Sequence, residues 1–376
     1  MRTSLALLAA LLAAGSGFAQ CHKIGEVNAE KPEGQLLQKI GQESDEAKKA
    51  ALLDEFVAQY PQHEAAGWVY EQILTGSIKA NNGDKALAAG EKLAAIPPAC
   101  VEDAHQTLKA AELKKDADQI RTWSAKTSEL ALQVVNSPQP KEQDEVEDWK
   151  RRVDYARQVN TYTEYSLYAA ALQVPDPQKK AMLIEALEQR NPKSEYLAQA
   201  YPAVFLAYQQ SKQTDKALEV AEKMAASGTP NEDMLLVLAD NYLQKKKDPE
   251  KVHVYSAKIV EIMSSKPKPD GVSDADWASR KNLFTGLAHY MSGKQYFQQN
   301  KLAQADKELR EALPLVQGNV GMKAETLFLL GVADYKLEKP QDAVGYFRAC
   351  AAIKSPYQGE STKNIARIKQ QYAGLK

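Results

Sequence analysis

Apolar and polar residues alternate with a helical period along almost the whole chain. The clearest example is residues 323–355, where Leu327 and Leu330 share one face, the pattern breaks at Pro340, and Phe347 resumes the apolar face. A proline is tolerated in the first turn of a helix, where its missing N–H has no intrahelical partner. The pattern predicts two helices folded against each other across a short turn.

Small residues recur at a fixed place in these predicted hairpins. Gly331 and Ala343 are 12 positions apart, a spacing that places them opposite each other and lets two helix backbones approach closely. Leu74 and Ala86 repeat the spacing upstream. The small or short apolar position of the second helix recurs at intervals of 36, 35, 53 and 38 residues, at Ala181, Ala217, Val252, Ala305 and Ala343.

Residues 323–355 resemble a tetratricopeptide repeat (TPR), whose pattern runs from a large residue through Leu-Gly, Tyr, Ala, Phe and Ala to Pro over about 34 residues. Two positions depart from it, because Asp334 stands where Tyr is usual and Ser355 replaces the closing Pro. The residues that match the pattern are Leu327, Leu330, Gly331, Ala343 and Phe347, with Cys350 in the second Ala position.

The resemblance implies an all-α fold, a right-handed α-solenoid of TPR-like helix hairpins. In such a solenoid the first helices line a concave groove that holds a peptide or another protein. The composition agrees with a nearly all-helical chain, since Ala, Leu, Lys, Glu and Gln dominate and Gly and Pro fall mainly in short breaks.

The breaks divide the chain into four predicted parts. Val101 to Val135 is predicted to be helical but does not fit the phase of the repeat, and the prolines after it mark the main boundary. The parts are a signal peptide (1–19), an N-terminal helical region (20–136) with one TPR-like hairpin (65–98), a linker (137–148), and a TPR solenoid (149–376) with an insertion (264–281) and a C-terminal capping helix (360–373).

The first 19 residues have the features of a secretory signal peptide. Arg2 precedes an apolar run from Leu5 to Ala14, and small residues lead to predicted cleavage after Ala19. The run is too short to span a membrane, and no later segment has enough apolar residues. The prediction is a periplasmic or secreted protein. A lipid anchor at Cys21 is the less favoured alternative, because bulky Gln20 precedes that cysteine.

Three cysteines enter an oxidising compartment in this interpretation, and an odd number cannot all pair within one chain. Cys350 occupies a small position in the repeat, which favours a packed free thiol. Cys21 with Cys100 is then the plausible bridge, because repeats at opposite ends of a stack do not meet. Whether that pair forms stays open at this stage.

The sequence offers little catalytic or metal-binding chemistry. The five histidines are scattered without an HExxH motif, and no CxxC pair, P-loop or GxSxG motif occurs. The net charge of −1 provides no electrostatic reason for nucleic-acid binding. We therefore predict no enzyme activity, catalytic residue, cofactor or metal. A hidden enzyme in Val101–Trp149 is a minor alternative without a motif.

The predicted function is a non-catalytic TPR scaffold that binds a protein or peptide in its groove, in the cell envelope or outside the cell. Aromatic and lysine side chains on first helices suit a peptide with an acidic or carboxylate end. The oligomeric state and the partner's identity are not predicted. The groove residues are Tyr290, Lys294, Phe297 and Gln298 in one repeat and Glu325, Phe328, Val332, Tyr335 and Lys336 in the next.

Two alternatives remain beside this prediction. Phe297 and Tyr335 could pack between neighbouring repeats instead of contacting a partner. The protein as a whole could be a subunit of a membrane-associated envelope assembly or secretion machine, which would require an obligate partner and a hydrophobic patch.

Overall fold

The computed structural model describes residues 21–25 and 27–372, so the predicted signal peptide lies outside the described residues. Every regular element in the described part of the chain is an α-helix, which confirms the all-α prediction. The chain forms two compact units, the first ending at Ser211 and the second beginning at Lys212.

The first unit contains nine helices in its described part. They are α1 (Pro32–Gln42), α2 (Glu46–Gln59), α3 (Ala66–Lys79), α4 (Gly83–Leu93), α5 (Val101–Lys114), α6 (Ala117–Val135), α7 (Gln143–Gln173), α8 (Pro177–Arg190) and α9 (Leu197–Gln210).

The second unit contains eight helices among the residues that the structure describes. They are α10 (Thr214–Ala226), α11 (Glu232–Lys245), α12 (Pro249–Ser265), α13 (Asp274–Gln298), α14 (Leu302–Ala312), α15 (Val320–Lys336), α16 (Pro340–Ala351) and α17 (Gln358–Gln371).

Within each unit the helices pack as a stack of hairpins. Consecutive helices contact each other, and helices two apart also contact: α3 with α5, α5 with α7 and α7 with α9 in the first unit, and α11 with α13 and α13 with α15 in the second. First helices of successive hairpins therefore lie side by side. This arrangement is an α-solenoid, in which each hairpin buries one face against the next.

The recurring small positions fall at the same place in successive second helices. Ala181, Ala217, Val252, Ala305 and Ala343 are each the fourth or fifth residue of α8, α10, α12, α14 and α16, and all five are buried. Ala86 is likewise the fourth residue of α4 and is buried. The regularity confirms that one hairpin plan repeats along the chain.

Glycines mark where helices approach most closely. A Cβ atom on Gly331 would lie 2.8 Å from ring atoms of Phe347, and one on Gly293 would lie 2.7 Å from the side chain of Leu309. Gly331 therefore packs directly on the Phe position of the TPR-like pattern, across the α15–α16 hairpin. Nothing larger fits without displacing the facing side chain.

The structure explains why Asp334 departs from the TPR pattern. Its side chain is fully buried and pairs with the guanidinium of Arg310, with 2.7 Å between Oδ2 and Nη2. Arg310 also donates to Tyr346 at 2.7 Å, and Lys339 lies 3.6 Å from Asp334 Oδ1. Burial raises the pKa of Asp334, although the two cations oppose that shift. An ion-pair network thus replaces the usual Tyr.

Several helix boundaries differ from the positions predicted by the sequence. The predicted helical stretch 101–135 is a hairpin, because Lys115 adopts a left-handed conformation with φ 56° between α5 and α6. α7 begins within the segment predicted as a linker. α13 begins inside the predicted insertion, where the Ser273 side chain caps the helix by accepting from the Asp276 N–H. α17 corresponds to the predicted capping helix.

We expect Gly331→Ala to destabilise the chain by up to about 2 kcal/mol. The added methyl group would press on the Phe347 ring, and overpacking of this kind costs about 1–3 kcal/mol, more than the roughly 1 kcal/mol gained in helix propensity. The free energy of unfolding in urea measures the effect.

Gly345→Ala in the same hairpin is the matched control. No heavy atom lies within 4 Å of a Cβ at this position, so the substitution should stabilise α16 by about 0.5–1 kcal/mol. Equal stabilisation by both substitutions would contradict the close approach at Gly331.

Candidate partner-binding surface

The predicted groove residues lie on α13 and α15, two first helices that pack side by side in the second unit. Tyr290 and Lys294 are one turn apart on α13, and both point to Glu325 on α15. The Tyr290 hydroxyl donates to Glu325 Oε2 at 2.5 Å, and Lys294 Nζ lies 2.8 Å from Oε1. These three predicted residues therefore form one network that bridges the helices.

The network sets the charge of its members. Burial alone would raise the pKa of Glu325, but hydrogen bonds from Lys294 and Tyr290 bring it below its ordinary value. Burial and the neighbouring Glu325 raise the pKa of Tyr290, which stays a neutral hydroxyl. The carboxylate thus neutralises Lys294 within the protein, so this ammonium group already has a counter-charge before any partner arrives.

Four other predicted residues pack mainly against neighbouring helices. Phe297 packs against the buried cluster around Leu309 and Leu330. Phe328 stacks on Tyr357 with ring centroids 5.0 Å apart. Their contacts are those of packing between repeats, and a partner-binding role for them stays a prediction. Phe328, Val332 and Tyr335 all pack against a second buried cluster. Its members are Ala343, Val344, Phe347 and Ile368.

The capping helix α17 covers the C-terminal part of the α15 surface. The Tyr335 hydroxyl donates to Gln371 at 2.6 Å, and the Arg367 guanidinium lies 5.3 Å from the centre of the Tyr335 ring. Gln298 and Lys336, by contrast, are exposed. Lys336 follows Glu325 by about three helical turns, so it lies on nearly the same face of α15. Of the nine predicted residues, these two are the ones exposed to solvent.

Sequence reasoning missed a cleft of about 440 Å³ elsewhere in the second unit. It lies on α12, α13 and α14, where the His253 ring stacks on Tyr296 at 3.7 Å and His289 Nδ1 lies 2.8 Å from Glu308 Oε2. Burial lowers the pKa of His253, which favours its neutral form. These residues are spread over more than 50 positions, so no local motif indicates the cleft.

A second feature lies in the first unit, at the start of α5, where the sequence left the Cys21–Cys100 bridge open. Cys21 and Cys100 form a disulfide there, and Cys350 is a buried free thiol, as predicted for that residue. Beside the disulfide, the His22 N–H donates to Glu71 Oε1 at 2.9 Å. Burial, together with the proximity of Glu71, raises the pKa of Asp103 to about 8, and burial raises that of Glu71 to about 7.

Comparisons with known proteins add little to this geometry. No protein-family model and no curated protein matches the chain. A solved structure that the chain is similar to is the crystal structure of the P58(IPK) TPR domain, at 13% sequence identity, over 91% of this chain and 98% of that chain, with a TM-score of 0.27. A TM-score this low supports no argument.

The fold assignment therefore rests on the helix packing itself. A buried small or short apolar residue recurs early in α4, α8, α10, α12, α14 and α16, and Gly331 packs on Phe347, the Phe position of the TPR-like pattern. The chain is an α-solenoid of repeated helix hairpins, and its α15–α16 hairpin resembles a TPR. In the described part of the chain, no helix has both the length and the apolar character needed to cross a membrane.

We expect Glu325→Gln to lower the free energy of unfolding by about 1–2 kcal/mol at neutral pH. The amide keeps the size of the side chain but leaves the half-buried Lys294 ammonium without its counter-charge. Because the folded pKa of Glu325 is lowered, its contribution is complete above the ordinary carboxyl pKa of 4.5 and is lost as the pH falls through the folded value.

Urea unfolding of both proteins over a pH series measures this difference. Glu219→Gln is the control, because Glu219 and Lys223 form an exposed i,i+4 pair that contributes less than about 0.5 kcal/mol. A difference for Glu325→Gln that stays constant down to the acid limit would contradict the charge network.

Proposed function

We propose that the protein is a non-catalytic scaffold that binds a peptide or protein segment on the first-helix surface of its second unit. The observation that supports this most is the cross-helix network of Tyr290, Lys294 and Glu325. It fixes α13 against α15 through charged hydrogen bonds, so the surface is organised before a partner binds. A pre-organised surface saves part of the entropy that binding costs.

The charge on this surface suggests the chemistry of the partner. Lys294 is neutralised by Glu325, so the exposed ammonium of Lys336 is the group on this face that could attract a carboxylate. The half-buried aromatic rings of Phe328 and Tyr357 lie beside Glu325. We therefore propose an extended or helical segment with an acidic side chain or a free C-terminus as the ligand.

We propose that the protein works in the cell envelope or outside the cell. The first 19 residues resemble a signal peptide, and the Cys21–Cys100 disulfide supports an oxidising compartment, because disulfides are rare in reducing ones. Fractionation of the native host, followed by mass spectrometry of the processed N-terminus, tests both cleavage after Ala19 and acylation of Cys21.

Two exposed positions allow a test that leaves the core intact. Gln298→Glu together with Lys336→Glu adds negative charge to the proposed surface without removing a buried contact. We expect capture of crosslinked envelope proteins from the native host to fall at least about tenfold, because like charges repel an acidic segment. Quantitative mass spectrometry of the co-purified proteins provides the measurement.

Lys307→Glu is the matched control, since Lys307 is exposed on α14, a second helix. Unchanged capture by the double variant, or equal loss by the control, would contradict the proposed surface. A single stoichiometric partner captured equally by all three proteins would instead favour a subunit of an envelope assembly.

A further inference from the structure

Four potential metal ligands converge at the start of α5, in the first unit. Their ligand atoms all lie within 4.8 Å of one another. Two come from the segment before α1 and two from the first turn of α5 and the residue before it. We call this group the Cys21 cluster; its members are Cys21, His22, Cys100 and Asp103.

His22 is arranged as a ligand in a preformed metal site would be. Its side chain is only 8% exposed, and its Nε2 has no hydrogen-bond partner among the described residues. Asp103 Oδ2 is also buried without a hydrogen bond, and the two atoms lie 3.4 Å apart. Two atoms bound to one zinc ion at about 2.0–2.2 Å in tetrahedral geometry would have about this separation.

Neighbouring residues hold both ligands in place. The His22 ring lies against Gly67 on α3, where a Cβ atom would come within 2.5 Å of Nδ1, so only glycine leaves room for it. Glu71 on the same helix accepts from the His22 N–H and lies beside the Asp103 carboxyl group. Such outer contacts orient ligands in metal sites. A cavity of about 210 Å³, lined by Cys100, Asp103 and Trp123, provides a path to the site.

We propose that the Cys21 cluster binds one Zn²⁺ ion whenever the disulfide is reduced. A protein dithiol donates two electrons and two protons, the S–S bond breaks, and the dithiol becomes a disulfide. Each cysteine thiol then loses its proton as a Zn–S bond forms, with no further redox change. Two thiolates, one imidazole and one carboxylate are a donor set that suits tetrahedral Zn²⁺. Disulfide and metal are thus mutually exclusive states of the same two sulfurs.

Co²⁺ is the spectroscopic probe for this site. The purified chain, reduced with a phosphine and kept anaerobic, should bind one equivalent with thiolate-to-cobalt charge-transfer absorption and the strong d–d bands of tetrahedral coordination. Zn²⁺ should displace it. The oxidised chain should show neither signal, because its sulfurs are held in the disulfide.

Two variants distinguish a four-ligand metal site from metal binding by the two cysteines alone. We expect His22→Gln and Asp103→Asn each to weaken Co²⁺ binding at least about tenfold and to change the d–d bands. His63→Gln is the control, because His63 lies in the same unit and its Nδ1 accepts a backbone N–H instead. Far-UV circular dichroism checks that each variant is folded. If His22→Gln fails to fold, Asp103→Asn still provides the test, because it conserves the size of the side chain.

The absence of Co²⁺ binding by the reduced wild-type chain would overturn the proposal. So would wild-type affinity and spectra in both folded variants, since that result would mean that His22 and Asp103 are not ligands.

Discussion

Close approach between neighbouring helices is the constraint on which the rest of this structure depends. One helix hairpin cannot bury its apolar face alone, so each must pack on the next. The contact is close enough that a single methyl group at Gly331 or Gly293 would displace the side chain opposite. The buried small or short apolar residue early in α4, α8, α10, α12, α14 and α16 serves the same purpose. Once these positions are set, the first helices are brought side by side, and their outer faces become one surface.

That surface is partly used by the protein itself. Tyr290, Lys294 and Glu325 join α13 to α15, while α17 packs over Val332 and Tyr335 at the C-terminal end. The same residues that would suit a ligand therefore also hold successive repeats together. We propose that a partner contacts the part of the surface that remains exposed, near Gln298 and Lys336, which restricts the proposed contact to a short strip across two helices.

The repeat plan could be predicted from the sequence because its signal is local and periodic. Turns were harder to place, since Lys115, Lys246 and Glu338 adopt the left-handed conformation that glycine usually marks. Asp334 shows a second limit: its departure from the TPR pattern is explained only by Arg310 and Lys339, which lie on other helices or beyond the turn.

The prediction of the groove residues was limited in the same way, because their contacts come from other helices. Helical spacing placed the nine residues on two first helices but could not separate the faces that pack from those that stay exposed. That depends on contacts with other helices, such as Phe297 with Leu309 and Tyr335 with Gln371. The sequence named Cys21 and Cys100 as a plausible bridge although they are 79 residues apart. It could not place His22 and Asp103 beside them, because those two residues belong to no motif.

We propose that the exposed strip on α13 and α15 is where a partner binds. Site-specific photocrosslinking in the native host tests it most directly, with a photoreactive residue in place of Gln298 or Lys336 and, separately, in place of Lys307 on α14. The account predicts that the first two positions crosslink to the same partner protein and that position 307 does not. Crosslinks from position 307 alone would contradict it.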